Sequence, residues 1–240
     1  PLKKGGPGII LALDVRKPSE AERILETLGT HLRYVKIGPR LFTAGGMPFV
    51  GRVIRAGFEV FLDLKLHDIP NTIAEAVDFL ARSGIWALTL HASGGEEMLK
   101  AAVSAKGGAR SEVLLLGVTV LTSIDQRGLD RSSPGSELRQ LIKCRALLCK
   151  ECGFDGIVCS PRDLPLLDGL LPVEFLRVVP GIRDGQVSHD DQKRTAGIGE
   201  ALDMGADFVV IGRPVIQSSS PLGAMLRFAE RLDLWRKTNG

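Results

Sequence analysis

EVFLDLKLHDIPNTIAEAVDFLARSG, Glu59 to Gly84, contains one complete strand-and-helix unit. Its first part, EVFLDLKL, has the apolar character of a buried strand, although it carries an acid and a lysine. The following segment has an amphipathic helical pattern, with Asn71 as the expected N-cap and Gly84 just past the helix end. A strand that leads directly into a helix is the repeating unit of α/β proteins.

The same unit recurs from one end of the chain to the other, without a linker or a low-complexity tract. The strand candidates are GIILALDV, YVKIGP, EVFLDLKL, WALTLHA, EVLLLGVTV, DGIVCS, EFLRVVPG and DFVVIGRPV. About eight such units in a chain of 240 residues predict an α/β (β/α)8 TIM barrel that forms one domain over residues 1–240. A doubly wound open sheet is disfavoured because the first crossover, DVRKPSEAE, has no glycine fingerprint.

Charged residues collect where the predicted strands end. Asp14 ends the first strand, Lys36 lies in the second, Asp63 and Lys65 lie in the third, and Asp68 follows in the loop. Side chains two apart on a strand share a face, so Asp63 and Lys65 are expected to project together into the barrel mouth. Alternating signs keep each buried group ionised. Because catalytic residues of barrels lie at strand ends, we interpret this set as catalytic rather than as a structural ion-pair network.

Two glycine-and-arginine segments follow the last two predicted strands. VVPGIRDGQ, residues 178–186, contains Arg183, and VIGRPV, residues 210–215, contains Gly212 and Arg213. Barrels commonly hold phosphate in the loops after strands 7 and 8, where glycine permits close backbone approach and arginine binds the anion. The sequence therefore predicts a phosphate site there, with Arg183 to Gln192 as a loop that closes over it.

The charge and the apolar content of the chain indicate which kinds of partner to expect. The net charge of +3 suits a small anionic ligand, and the lack of a lysine and arginine block predicts no nucleic-acid partner. The apolar runs are short and the first residues lack a signal-peptide pattern, so we expect neither a membrane span nor export, and a cytoplasmic location. Cys149 and Cys152 form a lone CKEC, which we expect to be reduced helix residues rather than a redox pair or a zinc site.

Two histidines near the charged set are not expected to bind a metal. Strand alternation points His67 away from the face of Asp63 and Lys65, and TLHASGG offers His91 no companion ligand. We therefore predict no metal and no organic cofactor, and the roles of His67 and His91 stay open.

The chain resembles the bacterial orotidine 5'-phosphate decarboxylase family from end to end. The resemblance is carried by LALDV, VKIGPRLF, FLDLKLHDIPNT, LTLHASGG, VTVLTS, PGIR, DDQKR and IGRPV. It implies cofactor-free decarboxylation of orotidine 5'-phosphate to uridine 5'-phosphate in de novo pyrimidine nucleotide biosynthesis.

The resemblance also implies roles for the residues around the reacting carbon. Lys65 would donate the proton, and Asp63 would lie against the substrate carboxylate. Asp14 and Lys36 would contact the ribose hydroxyls, and Lys36 would also join the charge network.

Other implied roles concern the subunit boundary, the base and the phosphate. Asp68 and Thr72 would reach the neighbouring subunit's site, which makes a homodimer with shared active sites a requirement. The remaining substrate contacts would come from Thr122 on the pyrimidine edge and from Arg183, Gln192, Gly212 and Arg213 on the phosphate side. Gln186 is an alternative to Gln192, and the spacing from Arg183 in bacterial members favours Gln192.

Two rival functions remain. A phosphosugar decarboxylase or aldol-type synthase of the same wider group would use the Asp-x-Lys-x-x-Asp acids to hold Mg²⁺, so metal dependence separates it from the nucleotide enzyme. A non-catalytic phosphate-binding barrel is the second rival. Lys65 between acids argues against it, because binding alone gains nothing from a lysine at that place.

Overall fold

The computed structural model describes residues 7–183 and 196–239, and its centre is a closed barrel of parallel strands. The barrel strands are β1 (Gly8–Ala12), β2 (Tyr34–Ile37), β3 (Glu59–Leu66), β4 (Ala87–His91), β5 (Leu114–Val118), β6 (Gly156–Val158), β7 (Leu176–Val179) and β10 (Phe208–Ile211). They are hydrogen-bonded in the order β1-β10-β7-β6-β5-β4-β3-β2, and β10 pairs with β1 to close the barrel. The predicted (β/α)8 barrel is confirmed.

Helices follow the strands and surround the barrel. They are α1 (Pro18–Leu28), α2 (Pro39–Arg55), α3 (Pro70–Ala81), α4 (Gly95–Gly108), α5 (Gln126–Ser132), α6 (Leu138–Glu151), α7 (Leu164–Leu167), α8 (Ile198–Asp203), α9 (Arg213–Ile216) and α10 (Pro221–Asn239). Within the two described ranges, none of them combines the length and the apolar character that crossing a membrane requires.

The start of α3 corrects one expectation. Asn71 is not the N-cap: the helix begins at Pro70, and Ile69 occupies the cap position without a side-chain hydrogen bond. Proline is favoured in the first helical turn because its φ is already helical and its missing N–H would lack a partner there. The Asn71 amide instead donates to Glu75, 3.1 Å away, within the helix.

A short parallel pair outside the barrel was not predicted. β8 (Ile182–Arg183) pairs with β9 (Ala196–Gly197). Strands of two residues are too short to show an alternating pattern, which explains why the sequence did not indicate them. The segment between them, with Gln186 and Gln192, lies outside the described residues.

Aromatic side chains fill the amino-terminal end of the barrel. Tyr34 and Phe208 are the first residues of β2 and β10, and Trp86 immediately precedes β4. The Trp86 ring lies 4.6 Å from that of Tyr34 and 5.1 Å from that of Phe208, centroid to centroid. Because this end is packed, space for a ligand is left at the carboxyl ends of the strands, where the charged residues lie.

Candidate active site

The strand β3 leaves regular geometry where it carries the charged residues. Leu62 pairs with Leu88 and Leu66 with Leu90, so the register shifts between these two pairs. Lys65 lies within the shift and has a φ of 53°, in the left-handed region. That conformation costs a residue other than glycine about 1–2 kcal/mol and is concentrated at functional sites.

This bulge corrects the reasoning that placed the side chains. Regular alternation does not hold here, yet Asp63 and Lys65 do meet: the Lys65 Nζ lies 2.8 Å from the Asp63 Oδ1. The orientation of His67 was also inferred from regular alternation, so that inference no longer holds. His67 is exposed, and its ring lies 5.5 Å from that of His91.

Asp63 is the centre of an alternating charge network. The side chain is buried, with its residue only 6% exposed, and its Oδ2 lies 3.2 Å from the Lys36 Nζ. The same Nζ lies 3.7 Å from the Asp14 Oδ1. The chain of charges Asp14, Lys36, Asp63 and Lys65 thus has the alternating signs that the sequence predicts.

The network keeps its buried members ionised. Burial alone would raise the pKa of Asp63, but Lys36, Lys65 and a hydrogen bond from Thr89 lower it from 3.8 to about 2. Burial alone would lower the pKa of Lys36, but Asp63 and Asp14 outweigh it and raise that pKa above its usual value. The site therefore holds a fixed pattern of charges at neutral pH.

A cavity of about 180 Å³ opens beside this network at the carboxyl ends of the strands. It brings together seven of the predicted site residues: Asp14, Lys36, Asp63, Lys65, Thr122, Gly212 and Arg213. Phe61, Val158 and Val210 add apolar wall, and Pro180 and Gly181 line it from the end of β7. The cavity wall thus includes the charged residues that follow β1 and lie on β2 and β3, together with the glycine and arginine that follow β10.

Gly38 is a supporting residue that the sequence reasoning did not single out. A Cβ at this position would lie 3.3 Å from the Lys36 Nζ, which is closer than most such contacts. Glycine at the start of α2 therefore leaves room for the lysine to reach both Asp14 and Asp63.

Two other predicted site residues in the described part of the chain, Asp68 and Thr72, do not line this cavity. Both are exposed, and the Asp68 Oδ1 accepts a hydrogen bond from the Ile69 N–H, 2.7 Å away. The side chain of Arg183, and all of Gln192 and its alternative Gln186, lie outside the described residues.

Thr89 was missed by the sequence reasoning and lies at the centre of the network. This β4 residue is fully buried, and its hydroxyl donates to the Asp63 Oδ1 across 2.9 Å. The Thr89 Oγ1 also accepts a hydrogen bond from the Lys65 backbone N–H, across 2.9 Å. The available signal was a polar residue inside an apolar strand, WALTLHA, beside the strand that carries the charges.

The histidine and cysteine side chains form no metal-binding cluster in the described residues, and the four cysteines are free thiols. No group of three or more histidine, cysteine, aspartate or glutamate side chains in residues 7–183 and 196–239 could hold a metal ion. Burial, followed by His67, Lys65 and Arg145, lowers the pKa of His91. Burial and Cys152 raise the pKa of the Cys149 thiol to about 12, which keeps it protonated and unreactive.

Proteins similar to this chain in sequence share one name. A protein named orotidine 5'-phosphate decarboxylase from Dichelobacter nodosus (strain VCS1703A) is 42% identical over 217 residues, which cover 90% of this chain and 95% of that protein. One of the same name from Nitrosospira multiformis is 39% identical over 227 residues, covering 95% of this chain and 94% of the relative.

Solved structures and a family model agree with these relatives. The crystal structure of orotidine 5'-phosphate decarboxylase from Lactobacillus acidophilus superposes with a TM-score of 0.82 at 32% identity, covering 95% of this chain and 99% of that one. The enzyme from Methanocaldococcus jannaschii, solved in complex with the inhibitor BMP, has a TM-score of 0.76 at 22% identity and supports the fold. The model of one protein family matches residues 7–228, and the chain belongs to that family, the orotidine 5'-phosphate decarboxylase / HUMPS family.

Proposed function

We infer that this protein decarboxylates orotidine 5'-phosphate to uridine 5'-phosphate, a reaction of pyrimidine nucleotide biosynthesis. The observation that carries this conclusion is the Lys65 ammonium, fixed 2.8 Å from a buried carboxylate at the mouth of a barrel cavity that Arg213 also lines. The relatives that share this name at about 40% identity over most of the chain support the same reaction. A function in nucleotide synthesis also fits the cytoplasmic location expected from the sequence.

The proposed chemistry uses charges that are in place before the substrate arrives. The bond between C6 and the carboxylate carbon breaks, CO2 leaves, and the electron pair stays on C6. The ring offers no electron sink for that pair, so stabilisation must come from a nearby positive charge. Lys65 then transfers a proton from Nζ to C6, which gives the product, and solvent returns a proton to the amine.

Asp63 and Lys65 act on different states of the reaction. As CO2 leaves, negative charge moves from the carboxylate to C6. Attraction by Lys65 therefore grows while repulsion by Asp63 falls, and both changes favour the transition state over the bound substrate. Lys36, held between Asp63 and Asp14, extends the same charge pattern towards the place that we assign to the ribose hydroxyls.

Other residues of the cavity wall are proposed to bind the rest of the nucleotide. Thr122 would contact the pyrimidine edge, and Gly212 and Arg213 would contact the phosphate. Arg183 and Gln192 are proposed on sequence grounds alone to complete the phosphate site. Binding energy from the non-reacting phosphate can then be used to hold C6 against Lys65.

Arg213→Ala is expected to lower kcat/KM about 100-fold, because a charge-assisted contact with phosphate is worth roughly 1.5–3 kcal/mol. The measurement is steady-state kinetics, with circular dichroism to show an unchanged fold. Arg52→Ala is the matched control, since Arg52 forms an ion pair with Glu22 and does not line the cavity. Wild-type kcat/KM in Arg213→Ala would remove Arg213 from the phosphate site.

A homodimer with shared active sites is proposed from the surface around α3. Asp68 and Thr72 are exposed, and neither is among the lining residues of the cavity in their own chain. Ile69, 66% exposed, lies between them, and Phe79 on α3 is 63% exposed. Large apolar side chains beside polar residues are typical of a surface that a second chain covers. Asp68 and Thr72 would then complete the partner's cavity.

Mixing two inactive variants tests this shared site. If Asp68 acts in the partner's cavity, a hybrid of Asp68→Ala and Lys65→Ala has one site without either change. Subunit exchange at equal concentration is then expected to restore roughly a quarter of the wild-type specific activity, because about half of the dimers are hybrids with one intact site each. Mixing Lys65→Ala with Asp63→Ala is the control and should restore nothing. No recovery in the first mixture, with exchange demonstrated, would contradict the shared site.

The reaction itself is tested by the loss of orotidine 5'-phosphate absorbance in the ultraviolet, with chelator present and absent. Turnover to uridine 5'-phosphate that chelator does not change is expected. Activity on a phosphosugar that depends on Mg²⁺ would instead assign the protein to the metal-dependent rival. A well-folded protein that binds the nucleotide without turnover would be a binding barrel.

A further inference from the structure

Thr89 is the one uncharged side chain that hydrogen-bonds directly to the Asp63 carboxylate in the described part of the chain. It lies on β4, on the strand next to the bulge, and is fully buried. It does not line the cavity, so it is not placed to touch a ligand. Its effect must therefore pass through the residues that it holds.

The hydroxyl closes a ring of hydrogen bonds through both charged residues. The Lys65 backbone N–H donates to the Thr89 Oγ1, the Thr89 hydroxyl donates to the Asp63 Oδ1, and the Lys65 Nζ donates to the same Oδ1. These three contacts measure 2.9, 2.9 and 2.8 Å. One hydroxyl thus fixes the backbone of Lys65 relative to the carboxylate that its own ammonium contacts.

The backbone of Lys65 requires such support. At the bulge, the register shift removes Lys65 from regular pairing with β4, and its φ of 53° is a strained conformation for lysine. Strained conformations persist where the surrounding structure over-determines them. The hydroxyl gives the displaced N–H a partner that the β4 backbone would otherwise supply, and a buried N–H without a partner costs about 1–3 kcal/mol.

We propose that Thr89 is a positioning residue for the decarboxylation, which holds the Lys65 backbone in its left-handed conformation and fixes the orientation of the Asp63 carboxylate. The proposal rests on the proposed function, in which Lys65 and Asp63 face the reacting carbon. Because a displacement of about 1 Å can cost 100-fold in rate, loss of this hydroxyl should act on turnover rather than on binding.

The test compares Thr89→Val with Thr89→Ser. Valine keeps the branched shape of threonine but removes the donor and the acceptor, whereas serine keeps both and loses a methyl group. Thr89→Val is expected to lower kcat about 100-fold, with KM and the affinity for uridine 5'-phosphate close to wild type. Thr89→Ser should retain most of the wild-type kcat.

Thr119→Val is the matched control. Thr119 is also fully buried at the end of a neighbouring strand, and its hydroxyl contacts the Val158 carbonyl at 3.4 Å. It does not contact the charge network, so its variant should show wild-type kcat. If Thr89→Val does not fold, Thr89→Ala, which leaves space for water, is measured in its place with the same expectation for kcat.

The outcomes separate the inference from the function on which it rests. Inactive wild-type protein would overturn the proposed function. Active wild-type protein with an unchanged kcat in the valine or alanine variant would overturn the role of Thr89 alone. An equal loss in valine and serine variants would also overturn it, because it would show that side-chain volume matters and the hydroxyl does not.

Discussion

Lys65→Ala is expected to lower kcat for orotidine 5'-phosphate by at least about 10⁴-fold, because the change removes two contributions at once. A positioned proton donor typically supplies about 10²–10⁴-fold, and a preorganised charge beside the reacting atom supplies roughly 10²–10³-fold. Nothing else among the described cavity residues replaces it: Lys36 is bound between Asp14 and Asp63, and Arg213 is assigned to the phosphate. Product formation is measured by ultraviolet absorbance over hours.

Binding of the product should survive this change. We expect uridine 5'-phosphate to bind Lys65→Ala with nearly wild-type affinity, since the proposed phosphate and ribose contacts remain. Isothermal titration calorimetry measures that affinity. A variant that lost kcat and binding together would indicate a collapsed site rather than a missing proton donor.

Lys106→Ala provides the matched control for Lys65→Ala. The Lys106 Nζ lies 2.7 Å from the Asp155 Oδ2, almost the distance between Lys65 and Asp63, but this pair does not line the cavity. Its removal should alter stability and leave kcat unchanged. Appreciable turnover by Lys65→Ala, with Lys106→Ala active, would overturn the assignment of Lys65 as proton donor.

The barrel could be predicted from the sequence because its signals are local. Each strand is an apolar run, each long helix has its own amphipathic pattern, and the number of units selects a closed barrel. The small β8 and β9 pair could not be predicted in this way, because each of its strands has two residues. Asn71 was misplaced as a cap because Pro70 starts the helix one residue earlier.

The sequence could predict only those site residues that lie close together in the chain or belong to a motif of the family. Asp63 and Lys65 were expected to meet through regular alternation. They do meet, but in a bulged part of β3 whose geometry depends on how β3 pairs with β4. Thr89 is 26 residues from Asp63, so its contact exists only once the barrel has closed. A lysine with a positive φ leaves no mark in the sequence, unlike a glycine.

Asp63→Asn is expected to lower kcat about 10³-fold, because it removes the negative charge between two lysines. In the wild type, the Asp63 carboxylate contacts the Lys36 Nζ at 3.2 Å and the Lys65 Nζ at 2.8 Å. An amide keeps the shape of this contact but cannot balance two ammonium groups. Repulsion should displace the Lys65 Nζ from its place, or favour loss of a proton from Lys36, whose pKa the carboxylate raises.

The pH dependence gives this prediction a specific sign. Because the pKa of Asp63 is lowered to about 2, the carboxylate stays charged as pH falls from neutral, and its contribution to folding is lost only between about 4 and 2. The same carboxylate raises the pKa of Lys36, so Lys36 stays charged at high pH in the wild type. Without it, the alkaline limb of the kcat/KM profile should move to lower pH.

Asp155→Asn separates this effect from the general loss of an aspartate that pairs with a lysine. Asp155 pairs with Lys106 and also accepts a hydrogen bond from the Leu115 N–H, but it does not line the cavity. Its variant should keep the wild-type kcat and the wild-type alkaline limb. If Asp63→Asn lost turnover while its alkaline limb stayed in place, the carboxylate would be acting on the substrate alone. Asp63 would then not be the group that keeps Lys36 charged at high pH.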